Sequence, residues 1–537
     1  MTRGIAAAIG ALIATSVAQA QQAAPSTDHD AIFALPRLSG PITVDGRSDD
    51  PAWQAVAPLP LTVYLPTHAA AATERTVARV AYDDDALYVV VDAWEAHPGG
   101  VRASTMMRDD DAPGDYINLA LDTFGDRQNA VGFGTTPGGQ RNDVSISGDA
   151  GSGASISSAW NGVWQVSTRR GSDGWHAEFR IPFSTLRFSS HGDRVVFGFS
   201  LNRLTAHSNE RVTFPAIQPN APLALWKPSR WQRVSVAGIQ SGRALRVTPY
   251  IAASLEGART PDPALSPWEE KERLEIGGDL KMAVTSSTTL DLTVNTDFAE
   301  AEVDDQGVNL TRFPLFLPER RAFFVERAGT FEVKTGETDL LFTTRRVGLT
   351  AAGESVRLLG GARLVGQVGG WDIGLFDAQT GRTPAGTREN AGVLRLRRRV
   401  LNPHSWAGVM VASRATPDST QVALGADGDL GLGGDHYLSF ALATLAGIAG
   451  AGPDAGVLPR GALRVVAERR RNRGAWYRVA VATTGARYAP ALGYVQHADS
   501  HPAVARTGLR TRDQRGGEPA PAEHLDGTRL PQCRGNL

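Results

Sequence analysis

The chain has 537 residues and only one cysteine, Cys533, close to its C-terminus. An intrachain disulfide framework is excluded, and a cysteine-based zinc site has no basis. Lysine is almost as scarce: Lys227, Lys271, Lys281 and Lys334 are the only four among 55 basic residues. With the abundant alanine, that skew reads as genome composition rather than as a functional patch. Neither sign of charge is in excess, since 56 acidic residues leave a formal net charge of −1. A generally basic nucleic-acid binder is thereby excluded, and no nucleic-acid partner is expected. After the N-terminal segment there is no run of about 20 uninterrupted apolar residues, so no helical membrane span is expected. Also missing are a Gly-x-Ser-x-Gly elbow, a His-Glu-x-x-His pair and a phosphate-binding loop. Apolar residues are not lacking. At 42% of the chain, they suffice for packed cores and exclude wholesale disorder. The length suggests more than one domain, at about 150 residues each.

The N-terminus indicates the compartment. Arg3 supplies a positive start, Ile5 to Val17 is uncharged and mostly apolar, and Ala18-Gln19-Ala20 is a small-x-small cleavage site. Residues 1–20 are read as a secretory signal peptide and 21–31 as a polar leader. The protein is therefore expected to be exported, to the periplasm or the outer membrane.

From 32 to 239 the pattern is one of short alternating strands separated by Gly, Asp and Pro turns. Val80 and Tyr82 lead into a turn at Asp83-Asp84-Asp85, and Leu87 to Val91 is apolar on both faces, which predicts a central strand. Trp175, Ala177, Phe179 and Ile181 alternate with His176, Glu178 and Arg180. Almost no helical periodicity occurs, so a β-sandwich of about 200 residues is expected. Residues 240–499 alternate differently, with smaller residues and tight turns at Gly369-Gly370, Gly433-Gly434 and near Asn472-Gly474. Leu290, Leu292, Val294 and Phe298 oppose Asp291, Thr293, Asn295 and Asp297. Segments of about ten residues with this dyad are the signature of a membrane β-barrel, although a soluble sheet alternates too. Trp371, Trp406, Tyr437, Trp476 and Tyr477 near strand starts are candidates for interfacial aromatics. Alternation stops at about Ser500. Residues 500–537 are expected to be a disordered extension or a frame-disrupted tail that truncates the barrel. The fold class is all-β, an N-terminal sandwich followed by a barrel-like domain.

Four ordered blocks of the first domain resemble the family 9 carbohydrate-binding modules. They are the opening Asp45-Gly46, Asp50, Pro51 and Trp53, the hairpin Val80 to Val91, the strand Asp115 to Asp122, and Gly174-Trp175, Glu178, Ile181-Pro182. The second half resembles the uncharacterised barrel-like domain that follows such modules in Gram-negative exported proteins. The resemblance rests on Thr293 to Glu326, with Thr296 where that family has proline, and on Leu341 to Leu349. It implies carbohydrate binding at the cell envelope in the service of polysaccharide capture or catabolism. The partners implied are a polysaccharide or oligosaccharide and outer-membrane lipid. Two alternatives stay open: a xylanase-like hydrolase of O-glycosyl bonds, and an outer-membrane channel capped by the sandwich.

Sugars are recognised by aromatic faces and by charged groups that bond their hydroxyls. Trp53 and Trp175 sit inside the shared motifs and are expected in the core, and Trp164 near a strand start. Trp94 leaves a strand for a charged loop, and Trp226 lies in a Pro-rich loop. The carbohydrate-binding candidates are Trp94, Glu95, Arg108, Asp115 and Trp226. No cofactor is required, but Asp109, Asp110 and Asp111 are candidates for calcium, although adjacent carboxylates cannot all point inward. Asp297, Glu300, Glu302, Asp304, Asp305, Glu319 and Glu326 crowd one segment, where pairing with Arg320, Arg321, Arg345 and Arg346 is the expected role. A hydrolase would need two such carboxylates flanking one bond.

Overall fold

The computed structural model describes residues 31–510 except 97, 111–112, 151–155, 159, 187, 189, 192–193, 240–244, 259–268, 286, 296–318, 320, 326, 350–355, 384–385, 403, 448–457, 472–473, 497–498 and 502. The signal segment, the leader up to Asp30, Asp111, Arg320, Glu326 and the carboxylates Asp297 to Asp305 lie outside the described residues.

The N-terminal unit contains fourteen strands among the described residues. They are β1 (Ile32–Ala34), β2 (Thr62–Leu65), β3 (Thr76–Tyr82), β4 (Ala86–Trp94), β5 (Tyr116–Asp122), β6 (Ala130–Thr135), β7 (Asn142–Ile146), β8 (Ile156–Ser157), β9 (Gln165–Gly171), β10 (Gly174–Pro182), β11 (Ser190–His191), β12 (Arg194–Thr205), β13 (Glu210–Phe214) and β14 (Gln232–Ala237). One sheet has the order β3-β4-β10-β9. The other runs β1-β14-β12-β5-β6-β7-β8, with β11 and β13 also on β12 and β2 on β13. Val89, Val91, Trp175, Phe179 and Ile181 from the first sheet meet Leu119, Leu121, Phe197 and Phe199 from the second in one core. The alternation in β10 is the reason: every second side chain must enter that core.

Val90 and Tyr88 point away from it, into a smaller cluster with Trp53 and Val56. This second layer explains why β4 is apolar on both faces. A helical turn, Pro51–Gln54, carries Trp53 onto the outer face of the sheet. There the Trp53 indole N–H donates to Glu178 Oε1 at 3.0 Å, and the amides of Asp45 and Gly46 donate to Glu178 Oε2 at 3.0 and 3.3 Å. Gly46 has φ +83° and lies so close to Thr168 that a Cβ would come within 3.2 Å of its carbonyl carbon. The Asp-Gly, Trp and Glu positions of the opening motif thus form one buried joint, with Glu178 wholly inaccessible.

That joint has a pH consequence. Burial pushes the Glu178 carboxyl up to about 7, against the three donors that favour the carboxylate. The folded state therefore holds a proton that the unfolded chain releases near pH 4.5. Stability from this group is fully present below that pH and is lost as pH rises towards 7, by about 3 kcal/mol. Urea midpoints should fall between pH 5 and 7.5 in the parent, and Glu178→Gln should flatten this part of the slope. An equal slope in both proteins would contradict the assignment.

The second unit contains β15 (Leu245–Ala258), β16 (Glu269–Thr285), β17 (Thr288–Val294), β18 (Leu358–Val368), β19 (Trp371–Arg382), β20 (Arg388–Arg399), β21 (Trp406–Ala415), β22 (Thr420–Gly433), β23 (His436–Ala446), β24 (Gly461–Arg469), β25 (Gly474–Thr484) and β26 (Ala503–Arg510). They form one antiparallel meander in chain order. Among the described residues its two end strands, β15 and β26, do not pair with each other. The expected turns occur, with Gly369 at φ +55° and Gly370 at +81°, and Gly433 at +90° and Gly434 at +56°. Part of the segment from 500 onward, where no strand is expected, is a strand, and residues 511–537 lie outside the described residues. Ala503–Arg510 pairs with β25 along its whole length. Backbone groups alone make such a ladder, so small and charged side chains sufficed where apolar alternation was missing.

The outer face of this sheet is apolar and partly exposed, and the inner face sets buried charges among apolar side chains such as Val365, Phe376, Val393 and Met410. On one face Leu290, Leu364, Leu375, Leu394, Val411 and Leu424 are successive cross-strand neighbours. Leu375, Leu394, Val411 and Leu424 are 37–42% exposed. On the other face Asp291, Arg363, Arg395, Arg397 and Asp427 are all buried. The Arg395 guanidinium donates to both Asp427 oxygens at 2.6 and 2.9 Å. The inner face is filled by Phe323, Phe331, Phe342, Tyr488 and Leu492 from the connecting segments. Arg321 holds that filling, bonding Glu319 and the carbonyls of Thr344 and Val347 at 2.7–3.0 Å. Of the candidate rim aromatics, Trp371 is 39% exposed. Trp406 and Tyr437 are covered by Arg397 at 5.0 Å and Arg470 at 4.1 Å.

Candidate functional site

The five candidate sugar-binding residues do not share a site. Trp94 and Glu95 are adjacent at the end of β4, and their side chains diverge because strand neighbours alternate. Trp94 packs edge-on against His176, centroids 6.1 Å apart, and takes the Arg75 guanidinium over its ring at 4.4 Å. Beside it, His176 Nδ1 lies 2.9 Å from Asp92 Oδ1, directly across the strand pair. That hydrogen bond holds the His176 imidazole above its usual pKa. Ser48 donates to the same carboxylate oxygen at 3.0 Å, and Arg79 lies 3.7 Å from the other. The outer face of the four-stranded sheet thus carries a half-buried indole ringed by an imidazole, a carboxylate and guanidinium groups.

Glu95 enters the opposite side and is buried. Its Oε1 accepts from Arg203, whose side chain is 1% exposed, and its Oε2 lies 2.8 Å from His207 Nε2. Arg203 also donates to the Arg75 carbonyl, to Thr76 Oγ1 and to the Trp94 carbonyl, tying β12 to both β3 and β4. Glu95 thus lies beneath the patch, bonded to Arg203 and His207.

Asp115 is likewise wholly buried, its oxygens accepting the amides of Arg102 at 2.6 Å and Ala206 at 2.9 Å. It fastens two loops together and has no lone pair facing solvent. Arg108 does not pair with Asp115. Its Nη2 spans both oxygens of Asp143 at 2.6 and 2.7 Å. Trp226 lies on the far side of the sandwich, packed over Gly132 with Leu225 and Trp231, outside the ten-stranded sheet. Trp53, Trp164 and Trp175 are in the interior, and Trp164 stacks on Phe179 at 5.9 Å.

Asp109 and Asp110 do not converge. Asp109 Oδ1 accepts the Asp143 amide at 3.0 Å, and the Asp110 carbonyl accepts Gln140 Nε2 at 2.6 Å. Among the described residues, the side chains close enough to share a cation are Glu74, Glu95 and His207, with donor atoms within 4.8 Å of one another. Arg203 and the Ala96 amide, at 2.8 Å from Glu74 Oε2, already serve that cluster.

Sequence reasoning missed Arg75, Asp92 and His176. The signal was present, because alternation put His176 on the outer face. What it lacked was the register that sets His176 opposite Asp92 and Gly174 opposite Trp94.

Residues 44–238 match the family described as carbohydrate family 9 binding domain-like, and residues 243–425 match the domain of unknown function DUF5916. No curated protein matches. Among solved structures, a family 9 carbohydrate-binding module from Caldicellulosiruptor kristjanssonii in complex with cellotriose is 16% identical, with TM-score 0.27, covering 39% of this chain and 94% of that one. The module in complex with glucose is 17% identical, with TM-score 0.28, covering 39% and 96%. The chain thus carries, in order, a segment that matches the carbohydrate family 9 binding domain-like family and a segment that matches DUF5916.

Proposed function

We propose that this protein binds glycans at the cell envelope, with the sandwich as the binding domain and the meander seated in the outer membrane. The observation that carries the binding role is the family match over residues 44–238. The Trp94 patch supplies what a sugar needs: an aromatic face for pyranose C–H groups and charged donors and acceptors for hydroxyls. The membrane role rests on the exposed apolar outer face of the sheet. Leucine and valine on the outer face and buried ion pairs on the inner face are the arrangement lipid favours and water does not. The N-terminal segment, read as an export signal, supports the same compartment.

The test is calorimetry of the full chain with soluble xylo- and cello-oligosaccharides. The parent is expected to bind, and Trp94→Ala to stay folded and bind roughly ten- to hundred-fold more weakly, as expected for an aromatic anchor. Undiminished binding by Trp94→Ala would place the platform on another face. Fractionation of cells expressing the full chain tests the membrane role. Recovery in the periplasmic fraction without detergent would refute it.

A further inference from the structure

We propose that the cleft between the two domains is a second, composite oligosaccharide site, built from both and absent from either alone. This rests on the carbohydrate reading above and adds a site to it.

The two domains meet closely. Gln367 Nε2 of the meander donates to Asp126 Oδ2 of the sandwich at 3.2 Å, and Arg327 lies over the Phe124 ring at 4.4 Å. Gly329 approaches so near that a Cβ there would lie 2.6 Å from the Ser147 side chain. Between these contacts is a cavity of about 420 Å³. That is within the range of small-molecule sites, roughly 300–1,000 Å³, which favour domain interfaces. Its wall is mixed in the manner a sugar requires. Phe124, Trp160 and Phe331 offer aromatic surface, and Ser145, Arg327 and Glu332 offer hydroxyl, guanidinium and carboxylate.

A second cavity of about 420 Å³ adjoins it and shares Ser147, Gly329, Glu332, Lys334 and Glu337. That compartment is more polar, with Arg397, Asp427 and Arg470 in its wall. A chain of several sugar rings would run from one to the other. Arg327 belongs to both sides of the cleft: its guanidinium lies over the Phe124 ring of the sandwich at 4.4 Å, and its Nη2 is 3.7 Å from Asp372 Oδ1 of the meander.

The experiment uses the full chain in detergent, with cellohexaose and xylohexaose as probes and the trisaccharides for comparison. The parent should bind a hexaose more tightly than a trisaccharide. Arg327→Gln and Phe124→Ala, which alter the contributions of the two domains, should each weaken hexaose binding by at least about tenfold. Trp94→Ala should retain this component. Folded variants at both positions that bind as the parent does would overturn the composite site while leaving the carbohydrate reading intact. So would loss of all binding in Trp94→Ala. Should both cleft variants unfold, hydrogen exchange on the parent decides: cellohexaose should protect residues 145–148 and 328–332, and binding without that protection overturns the proposal. A parent chain that binds no probe overturns the carbohydrate reading itself.

Discussion

Trp53→Ala is expected to destabilise the sandwich by about 3–5 kcal/mol, the range for emptying a buried aromatic site. Trp53 is completely inaccessible, and its ring is packed among Val56, Tyr88 and Val90. Its loss would also take one of three hydrogen bonds from Glu178, a carboxyl with no route to water. Trp53→Phe keeps much of the volume and loses the N–H, so it should fall between parent and alanine. Trp94→Ala gives the contrast. That ring is half-buried and held by one guanidinium stack, worth about 0.5–1 kcal/mol at a partly exposed site. Urea unfolding of the three variants checks the order. A Trp94→Ala loss as large as that of Trp53→Ala would mean that the outer patch is core.

The second large effect is at Arg203. Arg203→Ala should cost about 3–5 kcal/mol, because it leaves the Glu95 carboxylate buried without its cation. Arg203 also spans the edge between the two sheets through the carbonyls of Arg75 and Trp94. The reason for the size of the effect is the stranded charge, not the worth of the pair. In a Glu95→Gln background the same change should therefore cost clearly less, which a double-mutant cycle by urea unfolding would read. Equal costs in both backgrounds would show that Arg203 acts through packing alone. Glu95→Gln itself should leave sugar binding at the Trp94 patch unchanged, since Glu95 faces the interior.

The sequence by itself determined the two-domain, all-β organisation. Alternation with period two is a local property, and it named the residues that enter the core: Trp175, Ala177, Phe179 and Ile181 are all fully buried. It also marked Leu290, Leu292 and Val294 as one face against Asp291 and Thr293. Which face meets protein and which is left outside is not local. The tertiary structure decided that the aspartate face is the inner one, because segments about 30 to 200 residues further along fold back to fill it. The motif residues were legible as a pattern, but their joint was not. Trp53 and Glu178 are 125 positions apart and meet only when a helical turn is laid across the sheet. The five sugar-site candidates are not brought together, for the same reason. Trp94, Arg108 and Asp115 are near in sequence, but the fold does not make them neighbours in space. Arg108 instead reaches Asp143, Asp115 closes two loops, and Trp94 finds His176 and Asp92 through strand register. A charged side chain takes whatever partner the packed backbone brings within about 3 Å of it. That choice belongs to the fold, and the alternation that predicts strands carries no information about it.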